Sequence, residues 1–344
     1  MPTQAPFNLL LSALLFLAAC GSQEGARMPL PGKVGASGEI VVVADEATWN
    51  GALGDTLRSI FGVPYAVLPQ YEPEFDLVFL PRDEFDRFWK PHRNIIDIDL
   101  ADRIDTQEPS VEIYRDRFAS GQLFVAGKGR TAAELAGRFH ERRGDLLSIF
   151  HREEVDRFGD LVALSVNEPL ARDLAERHGV MLTLPRDVQL AQESEEFVWI
   201  DRQMTRMKGG NNHDVQQGIF IYFEPYTSDT LLSMRARLRS RNAVLRRHVE
   251  GPSPGSFMTT EMRYHPTYEE VAFNGEFASE LRGLWRVEND YMGGPFYSLT
   301  TYDASRGRLV TVEGYAYAPY FDKREYMREI EAVVRSLVVV PAGS

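Results

Sequence analysis

The sequence predicts an α+β protein built mainly from antiparallel sheets covered by helices. Three observations predict it. Short β-branched and aromatic runs recur along the chain. Amphipathic stretches stand singly between them. The 344 residues are 44% hydrophobic and 26% charged, enough to build a sizeable core. That length suits one large domain or two medium ones.

In chain order, Glu39–Ala44 (EIVVVA) is a continuous apolar run and reads as a buried strand. Asp55–Phe61 has helical spacing and stops at Gly62. Strands are expected at Val63–Leu68, Phe75–Leu80, Asn94–Leu100, Val111–Tyr114 and Gln122–Ala126. Thr131–Phe150 reads as one helix. It opens on Thr131-Ala-Ala-Glu134, the spacing of a capping box that satisfies free backbone N–H groups.

The second half has a similar rhythm. Leu170–His178 is helical and stops at Gly179. Strands follow at Val180–Leu184, Phe197–Asp201 and Gly218–Phe223. Ser228–His248 reads as a long helix with Leu231, Leu238 and Leu245 spaced at sevens. Further strands are expected at Thr259–Tyr264, Glu276–Val287, Phe296–Tyr302 and Leu309–Tyr317. Lys323–Leu337 closes the chain as an amphipathic helix, with Ile330, Val333, Val334 and Leu337 at core spacing. The repeated order Gly-Val, Leu-Pro, Phe at 62–75 and 179–197 leaves open two related α/β halves from an internal duplication. The expected layout is a signal peptide at 1–19, a flexible tether at 20–38, and α+β halves at 39–165 and 166–340 that are free to pack as one domain.

The only cysteine is Cys20, so no internal disulfide can form. Leu9–Ala19 (LLLSALLFLAA) is an apolar run of signal-peptide length, too short to span a bilayer. It ends Leu17-Ala-Ala-Cys20: an aliphatic residue, two small residues, then a cysteine. This resembles the lipobox of bacterial lipoproteins, whose cysteine receives a lipid. The alternative is an ordinary secretory signal with Cys20 incidental. The preceding MPTQAPFN lacks the Lys or Arg usual there. The following stretch, rich in Gly, Ser and Pro, reads as a tether. Gly21 does not resemble an inner-membrane retention signal, so the outer membrane is the expected location.

Net charge is −12, which argues against a broad affinity for nucleic acid or anionic lipid. Familiar catalytic patterns fail on mechanics. Gly251-Pro-Ser-Pro-Gly255 has serine-hydrolase spacing, but Pro254 lacks the N–H that an oxyanion hole needs after the serine. Gly127-Lys-Gly-Arg-Thr131 lacks the upstream glycine of a phosphate loop, leaving at most a weak anion site. The seven histidines show no paired metal-ligand spacing, so neither metal nor cofactor is expected. The arginines at 235, 237, 239, 241, 246 and 247 crowd one helix and read as a solvated face. Glu72 with Glu74, or Asp97 with Asp99, could serve glycosidase chemistry only at a carboxyl separation that sequence does not supply.

Asp290-Tyr-Met-Gly-Gly-Pro-Phe296 lies between two strand-like runs. Gly293 and Gly294 permit a hairpin turn. If the chain binds a ligand here, Arg282, Trp285, Met292, Gly293 and Gly294 are the candidate residues.

LPQYEPEF (68–75), RNII (93–96), FVWI (197–200), GPSPGSFM (251–258), RGLWRVENDYMGGPF (282–296), EGYAYAP and KREYMREIEA (within 313–332) together resemble DUF4837, a lipoprotein family found mainly in Bacteroidota. The resemblance covers nearly the whole chain after Cys20. It implies an envelope lipoprotein with no assigned activity, and it carries over no catalytic residue. Phe296–Leu337 also loosely resembles the end of the PsbP and Mog1-like fold, a group of binding proteins. The expected function is that of a non-catalytic accessory protein. It would be held to the membrane by a lipid on Cys20 and would bind an envelope protein or glycan. The alternative is an envelope hydrolase whose site assembles from distant residues.

Overall fold

The computed structural model describes residues 29–100 and 108–343. Cys20, the apolar segment before it and the first part of the tether lie outside the described residues. The first sheet contains β1 (Glu39–Ala44), β2 (Asp76–Pro81), β3 (Asn94–Leu100), β4 (Ser110–Arg115) and β5 (Leu123–Gly129), in the order β2-β1-β3-β5-β4. All neighbours are parallel except β4 on β5. The apolar run predicts this burial: a central parallel strand hides both faces, and Ile40 to Val43 are wholly buried. Helices α1 (Glu46–Trp49), α2 (Ala52–Phe61), α3 (Ala132–Glu141) and α4 (Arg143–Ala163) complete this unit. Leu57, Leu135, Phe139 and Phe150 pack with Ile40, Val42 and Ile96 on one face. On the other, Phe85, Trp89 and Phe118 from loops cover Val41, Val43 and Phe124.

Helix α5 (Glu168–His178) and the short strand β6 (Val180–Met181) lead into an eight-stranded antiparallel sheet. Its strands are β7 (Gln189–Glu193), β8 (Phe197–Lys208), β9 (Asn211–Pro225), β10 (Phe257–Thr260), β11 (Thr267–Phe273), β12 (Glu276–Glu288), β13 (Gly293–Asp303) and β14 (Arg308–Tyr317). The order is β10-β12-β13-β14-β9-β8-β7, with β11 also paired to β12. Helix α6 (Met234–His248), between β9 and β10, covers one face, where Leu245 packs with Phe220, Trp285 and Phe296. Helix α7 (Arg324–Arg335) covers the other, with Ile330, Val333 and Val334 against Ile219, Leu299 and Val312. Helix α7 also packs on α4, which joins the two units. A final strand, β15 (Val338–Val339), pairs with β6.

The α+β class is as predicted, and the second sheet is antiparallel throughout. The first is mostly parallel, so the two halves do not repeat one another in topology, and the shared Gly-Val and Leu-Pro rhythm marks different local structures. Val63–Leu68 is not a strand. Pro64 makes only an isolated bridge to Pro73, and Val67 turns the chain with φ 61°. The stretch at 180–184 keeps two residues of strand. The single helix expected at 131–150 is two helices that meet at Arg142, and the second runs on to Ala163. Thr131 caps α3 as predicted, accepting the Glu134 N–H at 3.3 Å, a contact worth about 1 kcal/mol. Before α6, residues 229–232 form a separate helical turn. The strand expected at 259–264 ends at Thr260. Strands β7 and β11 carry too little apolar alternation to stand out in sequence.

Candidate functional site

Polar chemistry concentrates where the two units meet. Four elements converge there: the loop before β2, α4, β12 and α7. Glu331 on α7 is buried and accepts four hydrogen bonds. Arg282 on β12 gives two of 2.8 Å, Arg335 gives one of 2.9 Å, and His151 Nε2 lies at 3.0 Å. His151 on α4 also presents Nδ1 to Glu74 at 2.7 Å. Glu74 in turn receives Arg328 at 3.3 Å. One imidazole therefore bridges a carboxylate of each unit. Burial alone would lower the His151 pKa, but Glu331 and Glu74 together push it up to about 9. Burial would raise both carboxyls as well. Arg282 and His151 nevertheless hold Glu331 well below the usual carboxylate range, and His151 with Arg328 lowers Glu74.

Above this cluster opens a cleft of about 620 Å³, lined in part by Tyr65, His151, Asp156, Glu269, Phe273 and Arg282. The Tyr65 and Tyr297 hydroxyls are buried without a hydrogen-bond partner among the described residues. Burial, then the nearby Glu331, raises both far above the ordinary phenol value. Ser148, also on the cleft wall, is exposed, one turn before His151. Both ring nitrogens of His151 already face carboxylates, so it is not free to activate that hydroxyl. Among the described residues no group of three or more His, Cys, Asp or Glu could hold a metal ion.

The two carboxylates of YEPEF separate rather than pair. Glu72 reaches across the junction and accepts the Lys323 and Arg324 backbone N–H groups at 2.7 to 2.9 Å. It thereby holds the positive end of α7.

Residues 168–336 match the family model described as domain of unknown function DUF4837. Through residues 168–336 the chain belongs to the DUF4837 family. Residues 33–162 match a second model, domain of unknown function DUF8532. The DUF4837 match thus covers the antiparallel sheet, α5, α6 and α7. The LPQYEPEF and RNII stretches fall in the part that matches DUF8532. No curated protein matches this DUF4837 chain. Two solved structures are distantly similar. One is a mutant of protein Mog1, with 10% identity over 48% of this chain and 92% of that one, at a TM-score of 0.29. The other is the Saccharomyces cerevisiae Ran-binding protein Mog1p, with 8% identity over 47% and 91%, at 0.30. Scores this low carry no argument about function.

Within the DUF4837 unit the five candidate residues do not form one site. Side chains alternate along β12, so Arg282 faces α7 and the junction, while Trp285 faces α6. Trp285 is buried against Tyr315, with ring centroids 5.6 Å apart, and its Nε1–H donates to the Ala316 carbonyl at 3.3 Å. Met292 is half-buried beside that core. Gly293 and Gly294 begin β13 and do not make the turn, whose positive φ of 63° belongs to Asn289. They allow close approach: a Cβ on Gly294 would meet the Ala316 carbonyl oxygen at 2.0 Å, and one on Gly293 would meet Trp285 O at 2.9 Å. Asp290 accepts the Ser253 hydroxyl at 2.6 Å, which ties the hairpin to the GPSPG loop and makes that serine a loop anchor.

The arginine-rich helix is not simply a solvated face. Arg241 is fully buried, donates to Glu313 at 2.8 to 3.1 Å and to Thr260 at 2.8 Å, and lies 3.7 Å above the Phe296 ring. Arg237 is buried and pairs with Glu224 at 2.8 Å. The others lie outside. The sequence sets Glu74 beside Glu72 rather than with His151 and Glu331; these three are 77 to 257 residues apart and share no local pattern.

Proposed function

We propose that this protein is a lipid-anchored cell-envelope protein that acts by binding a protein or glycan partner rather than by turnover. The carrying observation is His151. The group best suited to acid–base work is held between Glu74 and Glu331, and it spends both nitrogens on fastening the two units. Such a cluster sets the shape of the cleft and leaves no free base at its centre. The lipobox-like Leu17–Cys20 supports anchoring, and Gly21 supports the outer membrane. A second reading, a hydrolase of glycans or peptides, draws on Asp156 at the cleft wall. Its carboxyl is raised by partial burial and by Glu153 and Asp160, as a proton donor would require.

The test is crosslinking in living cells with the affinity-tagged full chain, with Cys20→Ala as control, followed by mass spectrometry. One envelope partner recovered repeatedly, and lost in the control, is expected. No enrichment over the control, together with hydrolysis of an envelope glycan or peptide that disappears in Asp156→Asn, would establish the second reading instead.

A further inference from the structure

We infer that a hollow at the end of the α6 face binds an organic ammonium ion. The hollow measures about 460 Å³, within the range of small-ligand sites. It shares strands β11 and β12 with the junction cleft but none of that cleft's lining residues. Phe277 from β12, Tyr302 from β13 and Tyr226 just after β9 form its aromatic wall. The Tyr226 and Tyr302 rings pack at 4.6 Å between centroids, tilted by 47°. Phe277 remains 44% exposed and Tyr302 37% exposed, so ring surface is open to a ligand. The register explains the convergence. Ala278 pairs with Thr301, which sets Phe277 and Tyr302 side by side on the same face of neighbouring strands.

Charge selects the ligand. Asp229, Glu270 and Glu276 line the same hollow, and no Lys, Arg or His does. Asp229 accepts the Tyr226 hydroxyl, which fixes that ring in place. Glu270 and Glu276 have no ion-pair partner among the described residues. Both are exposed to solvent, so their charge is open to a ligand entering the hollow. Uncompensated carboxylates create a negative field, and aromatic faces carry negative charge density. Both attract a cation, and neither suits an anion. The carboxylates stand around the hollow rather than converging as a metal site would. A large cation with diffuse charge and an apolar surface satisfies both the rings and the acids. This inference goes beyond the envelope-binding reading and does not depend on lipid attachment.

The test uses the full chain, purified in detergent, and titrated by calorimetry at constant ionic strength. The probes are choline chloride, its uncharged carbon isostere 3,3-dimethylbutan-1-ol, and glucose. Choline is expected to saturate, and the isostere to bind at least about tenfold more weakly. Tyr302→Ala and the exposed pair Glu270→Gln/Glu276→Gln should each weaken choline about five- to tenfold, with the urea midpoint of the Gln pair unchanged. No saturation by ~50 mM choline, in the weak range for a single cation–π site, would overturn the proposal. So would isostere or glucose binding as tightly as choline, or both variants binding like the parent. Failure here would leave the crosslinking result untouched.

Discussion

Arg282 and Glu331 meet through two parallel hydrogen bonds of 2.8 Å, one from each terminal nitrogen of the guanidinium to a separate carboxylate oxygen. The pair joins β12 to α7 beneath the cleft, and His151 brings α4 of the other unit to the same carboxylate. The polar junction therefore rests on Glu331.

Glu331→Gln should destabilise the protein by roughly 3–5 kcal/mol, because Arg282 and His151 would stay buried with their countercharge removed. Urea unfolding measures it. A loss under about 1 kcal/mol would show that the cluster does not hold the units together.

The His151 pKa of about 9 sits above its ordinary value of 6.5. Its contribution to stability is therefore fully present below about 6.5 and is lost as pH rises through 9. Glu74 and Glu331 are shifted down, so their contribution is present above the ordinary carboxylate value and is lost on acidification through their folded values. Urea midpoints across pH should fall at both ends. The alkaline decline between 6.5 and 9 should shrink in His151→Gln, and an identical decline in that variant would remove His151 as its source.

Gly294→Ala and Gly255→Ala separate two reasons for glycine. At Gly294 the new methyl meets the Ala316 carbonyl oxygen at 2.0 Å and Trp285 Nε1 at 3.0 Å, so a loss of about 3 kcal/mol or more is expected. Gly255 has φ 75° and open space around it, so only the left-handed backbone is penalised, by about 1 kcal/mol. Equal thermal shifts for the two variants would contradict this.

Arg241→Met should cost about 3–5 kcal/mol by stranding Glu313 in the core, whereas Arg241→Met combined with Glu313→Leu should cost less than either single change. A double-mutant cycle measures the coupling. Additive losses would mean the two residues act separately. The buried pair also explains why an arginine-rich helix can face a sheet: Glu313 lies on the same side of β14 as Tyr315, directly under α6.

Strong local signals in the sequence carried through to structure. The run Glu39–Ala44, the strand at Asn94–Leu100, the Thr131 cap and the core spacing of Ile330, Val333 and Val334 each depend on neighbours a few residues away. The α+β class follows from such signals. Weak or interrupted patterns misled, as at Val63–Leu68, where prolines and a positive φ replace a strand. By itself the sequence determined most elements and the absence of any contiguous catalytic motif, because these depend on propensity and spacing along the chain. Only the tertiary structure decided that the first sheet is mostly parallel, that Arg282 and Trp285 face opposite sides, and that Glu74, His151 and Glu331 meet. Strand order and long-range ion pairs are set when distant elements pack, and the free energy that selects them is shared among residues with no common local pattern.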